Sequence, residues 1–546
     1  MKIIIRLIFL FIISINLSLL VFAQDKQSSP KLVVGIVVDQ MRYDYLYKFN
    51  SLYGENGFKK LMKKGSNFTF AHFNYVPTYT GPGHASIYTG TSPYFNGIIS
   101  NYWYDKKLKK VIYCTYDDMY KTIGADDNEG KMSPKQLLST TITDQLKMAT
   151  NKKGKVISIS IKDRAAILPG GHSPDGAYWY DSENGNFITS SFYMNDLPKW
   201  VKEFNNKKLT DTYISLEWNL TYPLERYWVT LPDERHFEED LFLEKKTSFP
   251  HSFKNIPSKE KYEILKSTPF GNELLYNFAV SALVNENLGK DAITDFLAIS
   301  FSSTDYIGHS YGPNSVEVED TYVKLDLLIS KLLIDLNKNV GEGNYILFLT
   351  ADHGVAENPK YLKEYNIPGD WINFKSINDS LKNYSKKNFS ANVIEKFSSE
   401  QIFLNYELIN SLKLNLSNVR KSFAEYLIVT FPFIAQTTTR DNLTQFVASR
   451  NSANLTLNGF NPLRSGDVIL ELQPGYIPGS SSSGQVTHGS SYSYDTHIPL
   501  LFFGWNIPAQ TNNSPVYIVD IAPTISDLLK ITEPSGNTGI PLISTK

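Results

Sequence analysis

Short apolar runs that stop abruptly at polar residues recur along the chain. Four of them have the length and the β-branched content of buried parallel strands, and they cover residues 31–38, 156–161, 296–301 and 345–349. Between the last two, apolar residues recur at the spacing of one helix face and predict a helix over 316–337. Because a strand, a helix and a strand follow one another here, the region predicts a βαβ unit and therefore a parallel sheet.

The predicted fold class is α/β, with a mostly parallel central sheet flanked by helices. Two stretches lack a regular alternation of strands and helices: 175–287 is rich in Trp, Tyr and Pro, and 359–466 is rich in Lys, Asn and Ser. We interpret both as insertions or cap segments of a single catalytic domain over 24–546. In open α/β sheets, ligands bind beyond the carboxyl ends of the strands, and polar residues of this chain follow the apolar runs at those ends.

The first 23 residues have the features of a signal peptide. A basic start with Arg6 precedes an almost wholly apolar run over 7–22, and a small-residue cleavage site comes before Gln24. The alternative is a retained membrane anchor, but the run is shorter than the ~20 residues that a spanning helix needs. We therefore expect a mature chain without a stable membrane anchor, located in a bacterial periplasm or secreted.

Charge and cysteine content narrow the function. Lys and Arg number 54 against 55 Asp and Glu, so the net charge of −1 provides no field that would hold a polyanion. We expect no nucleic-acid binding partner. Cys114 is the single cysteine, which excludes an intramolecular disulfide and a thiolate-rich zinc cluster. A metal ion would therefore have to be held by oxygen and nitrogen.

Six side chains are candidates for oxygen and nitrogen ligands. They are Asp39, Asp305, His309, Asp352, His353 and His488. Two Asp/His pairs follow two of the predicted strands, one further Asp follows a third strand, and one His lies in a Gly/Ser-rich loop. Each pair alone is more simply interpreted as a helix cap, a turn residue or a structural histidine. Six ligands together would supply two open three-ligand zinc sites, which favours metal binding.

A candidate nucleophile, Thr80, lies in a threonine- and glycine-rich segment. Thr80 precedes a Gly-Pro-Gly turn and a predicted helix over 84–89, where backbone amides and the positive helix end favour an anionic oxygen. That Thr78 or Thr80 is only a helix cap is an equally good interpretation from sequence physics alone. We interpret His84 as a helix residue that supports the site rather than as a metal ligand.

Three further residues could bind a tetrahedral anion. Asn101, Lys162 and Arg164 would offer an amide and two positive charges, although each is typical of a surface residue when taken alone.

The motifs that surround these residues resemble a known family. They are Val38-Asp39-Gln-Met-Arg42, Pro77-Thr-Tyr-Thr-Gly-Pro-Gly-His84, Thr89-Gly-Thr-Ser-Pro93 with Gly97-Ile98, Asp305-Tyr-Ile-Gly-His309, Thr350-Ala-Asp-His-Gly354 and Thr487-His-Gly489. In this order they resemble the alkaline phosphatase superfamily, within the branch of type I phosphodiesterases and nucleotide pyrophosphatases. The chain is most similar to secreted monoesterases of that branch that use threonine as the nucleophile.

The resemblance implies an alkaline-phosphatase-like fold and a pair of zinc ions. One ion would be held by Asp305, His309 and His488, and the other by Asp39, Asp352 and His353. Thr80 would contact both ions, attack phosphorus and become a phosphothreonine that is then hydrolysed. Asn101, Lys162 and Arg164 match positions that contact the nonbridging phosphate oxygens. Better-known alkaline phosphatases use serine and an added magnesium site; here the Lys162 ammonium matches the magnesium position, so we expect no required magnesium.

Two other functions stay open on the sequence. A phosphodiesterase or nucleotide pyrophosphatase would use the same nucleophile and zinc ligands. A phosphate monoester is a dianion with three nonbridging oxygens, whereas a diester carries less charge and a second organic arm. Two cations beside the phosphate would therefore favour monoesters, provided that Lys162 and Arg164 point into the site. A sulfatase is disfavoured, because neither cysteine nor serine stands at the nucleophile position in a formylglycine-type context. An exported protein that binds phosphate or zinc without turnover would have no need of a nucleophile at a helix N-terminus. We expect a monomeric phosphatase whose partners are small-molecule phosphate monoesters.

Overall fold

The computed structural model describes residues 29–450, 453–481 and 484–544. The predicted signal peptide, residues 1–23, lies outside the described residues. Within the described ranges, no helix is both long enough and apolar enough to cross a lipid bilayer.

The described chain forms short strands and helices in alternation. The strands are β1 (Leu32–Val38), β2 (Ser66–His72), β3 (Tyr102–Asp105), β4 (Lys110–Tyr113), β5 (Thr122–Ile123), β6 (Val156–Ser160), β7 (Gly176–Asp181), β8 (Asn186–Ser190), β9 (Glu217–Trp218), β10 (His251–Ser252), β11 (Asp295–Phe301), β12 (Tyr345–Thr350), β13 (Asp370–Ile372), β14 (Ile394–Ser398), β15 (Gln401–Leu404), β16 (Ile434–Thr439), β17 (Val468–Leu472), β18 (Tyr476–Pro478), β19 (His497–Gly504), β20 (Gln510–Asn512) and β21 (Val516–Tyr517). The α-helices are Tyr45–Lys48, Phe58–Lys64, Thr80–Thr89, Pro93–Asn96, Ile142–Ala149, Asp163–Gly170, Lys199–Asn206, Leu209–Tyr213, Lys261–Leu265, Pro269–Asn285, Ser303–Tyr311, Val316–Asn339, Pro359–Glu364, Phe374–Phe389, Tyr406–Ser411, Leu416–Thr430, Arg440–Leu443, Leu455–Gly459, Ser493–Thr496 and Ile521–Leu529.

Eleven of these strands form the central sheet. Their order is β20-β2-β19-β12-β1-β11-β6-β7-β8-β5, with β21 pairing with β2. The five middle strands, from β12 to β7, run parallel to one another. β19 runs antiparallel to β12 and β2, and β8 runs antiparallel to β7 and β5. The predicted α/β class with a mostly parallel sheet flanked by helices is confirmed.

The four strands predicted from the apolar runs lie side by side in the middle of this sheet, as β12, β1, β11 and β6. Every residue of β1, β11 and β12 is buried, as expected for parallel strands covered on both faces. The predicted βαβ unit is present: the Val316–Asn339 helix connects β11 to β12, which pair with opposite sides of β1. The apolar pattern therefore identified the core of the fold.

These four strands end at one edge of the sheet. Val38 of β1 pairs with Phe301 of β11, and Val37 pairs with Thr350 of β12. On the other side of β11, Ser160 of β6 pairs in the same parallel register. Because parallel strands in register end at the same edge, the polar residues that follow them lie close together.

The two predicted insertion segments attach to the core in different ways. The segment 175–287 begins with β7 and β8 of the central sheet and ends with the Pro269–Asn285 helix, which packs on the Val316–Asn339 helix. The segment 359–466 contributes β14, β15 and β16 to a separate four-stranded sheet that β17 completes, in the order β14-β15-β17-β16. All three pairs of this sheet are antiparallel. We call β14 to β17 the accessory sheet; it has its own apolar core.

Candidate active site

Four polar residues extend from the aligned strand ends. Asp39 directly follows β1, Lys162 lies two residues past β6, and Asp352 lies two residues past β12. Asp305 lies in the first turn of the Ser303–Tyr311 helix, which follows β11. Lys162 Nζ is 2.5 Å from Asp305 Oδ2 and 2.7 Å from Asp39 Oδ2. The ammonium group that we expected to meet phosphate therefore lies between two carboxylates from neighbouring strands.

Three histidine side chains lie beside these carboxylates, and the same kind of contact orients each ring. In each ring, Nδ1 lies against a backbone carbonyl oxygen. The distances are 2.5 Å from His309 to Val486, 2.9 Å from His353 to Gly354, and 2.7 Å from His488 to Thr78. Because a carbonyl oxygen only accepts, Nδ1 carries the proton in each neutral ring, and Nε2 presents its lone pair to the site. Metal-ligating histidines are commonly oriented in this way.

The Nε2 lone pairs of these rings face carboxylate oxygens. The distances are 3.2 Å from His309 Nε2 to Asp305 Oδ1, 3.7 Å from His488 Nε2 to Asp305 Oδ1, and 3.5 Å from His353 Nε2 to both Asp39 Oδ1 and Asp352 Oδ2. Within the described parts of the chain, Asp39 Oδ1 and Asp352 Oδ2 are buried and accept no hydrogen bond. Acceptor atoms facing acceptor atoms repel one another, and a cation between them turns the repulsion into coordination.

Two groups of ligand atoms are close enough to share a metal ion each. In one group, Asp305, His309 and His488 each offer an atom, and all of these atoms lie within 4.8 Å of one another. The second group, under the same limit, contains Asp39, Asp305 and His353. The set expected from the resemblance has Asp352 with Asp39 and His353, and Asp352 Oδ2 lies 3.5 Å from His353 Nε2. The six predicted ligands therefore form one continuous cluster, with Asp305 between its two halves.

Burial keeps two of the imidazoles neutral. It lowers the pKa of His353 to about 3, and together with the neighbouring rings it lowers the pKa of His488 well below its ordinary value. These two rings are stacked with their centroids 3.4 Å apart, which further disfavours placing a proton on both. Burial also lowers the pKa of His309, but the adjacent Asp305 carboxylate outweighs it and the pKa is raised. Neutral imidazoles are the forms that bind metal ions.

The pKa values of two carboxyl groups in the cluster, Asp305 and Asp352, are shifted in opposite directions. Burial raises the pKa of Asp305, but His309 and Lys162 outweigh it and hold the pKa well below its usual range. Burial raises the pKa of Asp352, and the neighbouring Asp39 carboxylate raises it further. Since ionised Asp39 and Asp352 repel each other, a cation between them would relieve the repulsion. The donor atoms and their charges fit a pair of divalent ions with mixed nitrogen and oxygen ligands.

The helix that carries Thr80 begins earlier than the sequence predicted. It spans Thr80–Thr89 rather than 84–89, and Tyr79 is its N-cap. The Gly-Pro-Gly segment forms the first turn, where Gly83 N donates to Tyr79 O at 2.9 Å. Pro82 is tolerated there because first-turn amides have no partner within the helix. Thr80 is thus the first helical residue and not a helix cap, and its side chain lies at the positive end of the helix.

Two residues of the same helix set how closely it approaches the carboxylates. A Cβ on Gly83 would lie 2.5 Å from the backbone oxygen of Asp352, so glycine permits the contact. His84 Nδ1 lies 2.9 Å from Thr80 O, and Nε2 lies 2.9 Å from Ser300 Oγ. Burial lowers the pKa of His84 to about 4, so the neutral ring supports the start of the helix, in agreement with the interpretation of His84 as a supporting residue.

The Thr80 hydroxyl lies where the metal-ligand cluster meets an arginine. Thr80 Oγ1 is 3.4 Å from His353 Nε2 and 3.4 Å from Arg164 Nη2. Arg164 Nη1 donates to the Tyr113 hydroxyl at 3.0 Å, and that hydroxyl donates to Asp163 Oδ1 at 2.6 Å. The guanidinium group is therefore held from behind and presents one edge to Thr80.

Asn101 is placed on the other side of Thr80. Its Oδ1 accepts a hydrogen bond from the Gly81 backbone amide at 2.7 Å. Since the oxygen is used by the helix N-terminus, the Nδ2 group is the part of this amide that can donate to an anion. All ten predicted site residues are thus brought to one place: Asp39, Thr80, Asn101, Lys162, Arg164, Asp305, His309, Asp352, His353 and His488.

Two residues that contribute to the site, Gln40 and Tyr113, were not predicted from the sequence. Gln40 Nε2 donates to Asp305 Oδ1 at 2.8 Å, and its backbone amide donates to Asp352 Oδ1 at 3.1 Å. Gln40 has a left-handed backbone with φ 65°, and a Cβ on Gly308 would lie 1.8 Å from its Oε1. The signal was its position directly after Asp39 at a strand end. Tyr113, which orients Arg164, had no sequence signal.

Comparison with known proteins places this site in a family. The model of the "Type I phosphodiesterase / nucleotide pyrophosphatase" family matches residues 33–495. A Myroides odoratus protein named "Calcium-transporting ATPase" is 42% identical over 532 residues, covering 96% of this chain and 96% of that protein. Alkaline phosphatase PhoV of Synechococcus elongatus is 43% identical over 510 residues, covering 93% of this chain and 92% of that protein.

A third relative is similar in both sequence and structure. Alkaline phosphatase PafA of Elizabethkingia meningoseptica is 41% identical over 518 residues, covering 94% of each chain. A crystal structure of alkaline phosphatase PafA matches this fold with a TM-score of 0.90, covering 94% of this chain and 98% of that chain. The mixed sheet flanked by helices is therefore the alkaline-phosphatase-like fold, and the chain belongs to the type I phosphodiesterase/nucleotide pyrophosphatase family.

Proposed function

We propose that the protein is an alkaline phosphatase that hydrolyses phosphate monoesters through a covalent phosphothreonine on Thr80, with two zinc ions as cofactors. The observation that carries this proposal is the set of histidine Nε2 lone pairs that face buried carboxylates beside the Thr80 hydroxyl. Relatives at 41% and 43% identity over more than nine-tenths of this chain are named alkaline phosphatases. A metal-ligand cluster, a hydroxyl and an arginine within contact of one another are the parts that phosphoryl transfer needs.

Two steps account for the reaction. In the first, Thr80 Oγ1 attacks phosphorus, the bond from phosphorus to the ester oxygen breaks, and the alcohol leaves with the proton that the Thr80 hydroxyl gives up. In the second, water attacks phosphorus, the bond to Thr80 Oγ1 breaks, a proton of that water returns to Thr80 Oγ1, and inorganic phosphate leaves. The positive end of the Thr80–Thr89 helix favours the anionic oxygen in both steps.

The nonbridging oxygens of the phosphate would be bound by Arg164 and Asn101. Arg164 Nη2 lies 3.4 Å from Thr80 Oγ1, so a phosphate on that oxygen places a nonbridging oxygen within reach of the guanidinium group. Asn101 Nδ2 would bind a second oxygen, because its Oδ1 is held by Gly81 N. Arg164 adds positive charge where a dianionic monoester carries more negative charge than a diester, which supports the monoester assignment.

The metal ions would occupy the ligand cluster in two halves. Asp305, His309 and His488 would hold one zinc, and Asp39, Asp352 and His353 would hold the other, and Thr80 would also serve as a ligand. When bound, the ions supply charge neutralisation at the entering and leaving oxygens.

Lys162 would take the place that a magnesium ion has in other alkaline phosphatases. Burial lowers the pKa of Lys162, but Asp305 and Asp39 outweigh it and raise the pKa, so the side chain stays charged at the pH of the reaction. An ammonium group between these two carboxylates supports the expectation that magnesium is not required. Lys162 would contact phosphate from this position once the carboxylates are shared with metal ions.

We propose an exported location on the basis of residues 1–23. Their basic start, apolar run and small-residue cleavage site support export of the mature chain to the periplasm or the medium. Such a location suits an enzyme whose substrates are small external phosphate esters. Detection of activity in the periplasmic or medium fraction of cells that express the full chain, and its loss when residues 2–23 are deleted, would test this placement.

One experiment tests the proposed activity. The mature chain is purified with zinc, and kcat/KM is compared for an aryl phosphate monoester and for the diester with the same leaving group. A chelated sample and a chelated sample restored with zinc are run beside it. We expect a strong preference for the monoester, loss of activity on chelation and recovery with zinc alone, without magnesium.

Other outcomes would redirect the assignment. A preference for the diester would move the protein to the phosphodiesterase branch of its family with the same site. Zinc binding without turnover of either ester would favour an exported binding protein.

ATP is included as a third substrate because one relative is named a calcium-transporting ATPase, and the terminal phosphate of ATP, like a monoester, has one bridging oxygen.

A further inference from the structure

One tight turn of the accessory sheet lies beside the proposed active site. β14 and β15 are joined by Ser399 and Glu400, with Ser398 pairing with Gln401 across the turn. Both turn residues have left-handed backbones, with φ 49° and 59°. This conformation is uncommon for residues with a Cβ, but a two-residue hairpin turn of this type requires it at both positions. We call these two residues the hairpin tip.

Both residues of the hairpin tip bind direct neighbours of proposed site residues. The Tyr79 hydroxyl donates to the Glu400 carboxylate, at 3.2 Å from Oε1 and 3.3 Å from Oε2. The Ser399 hydroxyl donates to Tyr102 O at 3.0 Å. Tyr79 directly precedes Thr80, and Tyr102 directly follows Asn101. The hairpin tip therefore binds the Tyr79 side chain and the Tyr102 backbone, each directly next to a proposed site residue in the sequence.

Tyr79 transmits this contact to two functional groups. Its carbonyl oxygen accepts from Gly83 N at 2.9 Å and so closes the first turn of the Thr80–Thr89 helix. Its ring meets the His488 ring edge to face, with the centroids 5.5 Å apart. A Cβ on Gly489 would lie 2.8 Å from Tyr79 Cε1, so the ring also packs directly on the loop that carries His488.

The Glu400 contact matters because Tyr79 is not packed on every side. A cavity beside the ring is lined by Tyr79, Glu400, His488 and residues of β17 and β18. Since close packing does not constrain the ring on the cavity side, a directional hydrogen bond has to do so. Glu400 is itself fixed, because its backbone oxygen accepts from Leu470 N of β17 at 2.9 Å.

We infer that Glu400 is a positioning residue for phosphoryl transfer, which through Tyr79 holds both the Thr80 nucleophile and the His488 metal ligand in place. The inference rests on the proposed function for its catalytic consequence, and on the contacts of Tyr79 for its structural one. The accessory sheet then contributes to the reaction without touching the substrate, and Ser399 supports Asn101 in the same manner.

The test compares two substitutions of Glu400. Glu400→Ala removes the acceptor of the Tyr79 hydroxyl, and we expect kcat/KM for an aryl monoester to fall by about tenfold. Glu400→Gln keeps an oxygen that accepts the same hydrogen bond, and we expect kcat/KM within about threefold of the unmodified enzyme. In a Tyr79→Phe background, Glu400→Ala should cause no further loss, because the two residues act as one unit.

A matched control lies on the same hairpin. Glu395 Oε1 of β14 accepts from the Tyr104 hydroxyl of β3 at 3.0 Å. This is the same kind of tyrosine-to-glutamate bond from the same hairpin, but it does not involve Tyr79. We expect Glu395→Ala to leave kcat/KM unchanged. An equal loss in Glu395→Ala would reduce the effect to docking of the accessory sheet, and full activity in Glu400→Ala would overturn the inference.

Zinc retention provides a readout that does not depend on turnover. Because Tyr79 packs on His488, Glu400→Ala should lose zinc faster than the unmodified protein or Glu395→Ala during dialysis against a chelator. Absence of turnover in the unmodified protein would refute the proposed function, and zinc retention alone would then decide the positioning role. Positioning through Tyr79 would be refuted if Glu400→Ala retained zinc as well as the unmodified protein does and still lowered kcat/KM in the Tyr79→Phe background.

Discussion

Replacement of Arg164 by alanine tests how the site distinguishes monoesters from diesters. One edge of the guanidinium group is 3.4 Å from Thr80 Oγ1, while the other donates to the Tyr113 hydroxyl at 3.0 Å. Arg164→Ala therefore removes one charged donor from the phosphate position and leaves the ligand cluster in place. Lys162 is less suitable for this test, because its removal also leaves the buried Asp39 and Asp305 without their nearest cation.

The size of the effect follows from the number of hydrogen bonds lost. Since Nη1 is engaged by Tyr113, Nη2 supplies one charge-assisted bond to a nonbridging oxygen. Such a bond contributes about 1.5–3 kcal/mol, so kcat/KM for a monoester should fall about 10- to 150-fold. A diester has half the charge, and a bond of about half the energy predicts a loss of about 4- to 13-fold.

The assay measures kcat/KM for an aryl monoester and its matching diester in the unmodified enzyme and in Arg164→Ala, both loaded with zinc. We expect the ratio of the two values to fall by about fourfold or more. Tyr113→Phe is the control, because it keeps the charge and removes only the hydroxyl that orients it, so its loss should be smaller on both substrates. Equal losses on monoester and diester in Arg164→Ala would refute the charge argument for specificity.

Three further outcomes are expected. Thr80→Ala should abolish the covalent phosphoprotein that acid quenching traps from labelled substrate; an undiminished intermediate would exclude Thr80 as nucleophile. Gly83→Ala should lower kcat/KM by more than about tenfold, because its Cβ would lie 2.5 Å from Asp352 O; unchanged activity would show that the helix can retreat without cost. Inorganic phosphate should raise the unfolding temperature of the zinc-loaded protein and not of the chelated one; equal shifts would place phosphate binding elsewhere.

The apolar pattern was sufficient to predict the middle of the sheet and most of the site. Buried parallel strands are continuous apolar runs, and each run here ends where the chain reaches the functional edge. The residues that follow β1, β11 and β12 could therefore be assigned to one place without knowledge of the strand order. His488 does not follow a predicted strand; it is a candidate ligand because it lies in a Gly/Ser-rich loop and completes a set of six with the two Asp/His pairs and Asp39.

Local turn chemistry was a poorer guide. The Gly-Pro-Gly segment after Thr80 indicated a turn before a helix, yet it forms the first turn of the helix itself. The difference arises because first-turn residues need no internal amide partner, so Pro82 costs nothing there. The same ambiguity leaves the sequence undecided between a cap and a nucleophile at Thr80. The structure excludes the cap, because Tyr79 is the N-cap and the helix begins at Thr80. The distances from Thr80 Oγ1 to His353 and Arg164 support the proposed nucleophile.

Long-range supporting contacts had no sequence signal. Tyr79 and Glu400 are 321 residues apart, and the spacing of apolar residues in either segment gives no indication that the two are in contact. The lysine- and asparagine-rich composition of 359–466 indicated an insertion but not the antiparallel accessory sheet. A two-residue turn without glycine is also a weak hairpin signal, so the hairpin tip could be recognised only once its position beside Tyr79 was known.

The charges of the site predict that metal binding and phosphate binding are linked in the proposed enzyme. Asp39, Asp305 and Asp352 contribute three negative charges when ionised, and Lys162 and Arg164 contribute two positive ones, which leaves one excess negative charge where we propose that a dianion binds. Two divalent ions would add four positive charges and leave an excess of three. The field at Thr80 would thus change from repelling to attracting a phosphate dianion. Lys162 lies between two of the carboxylates and would stabilise the cluster in both states. It would contact phosphate only when metal ions share those carboxylates, whereas Arg164 and Asn101 lie beside Thr80 in either state.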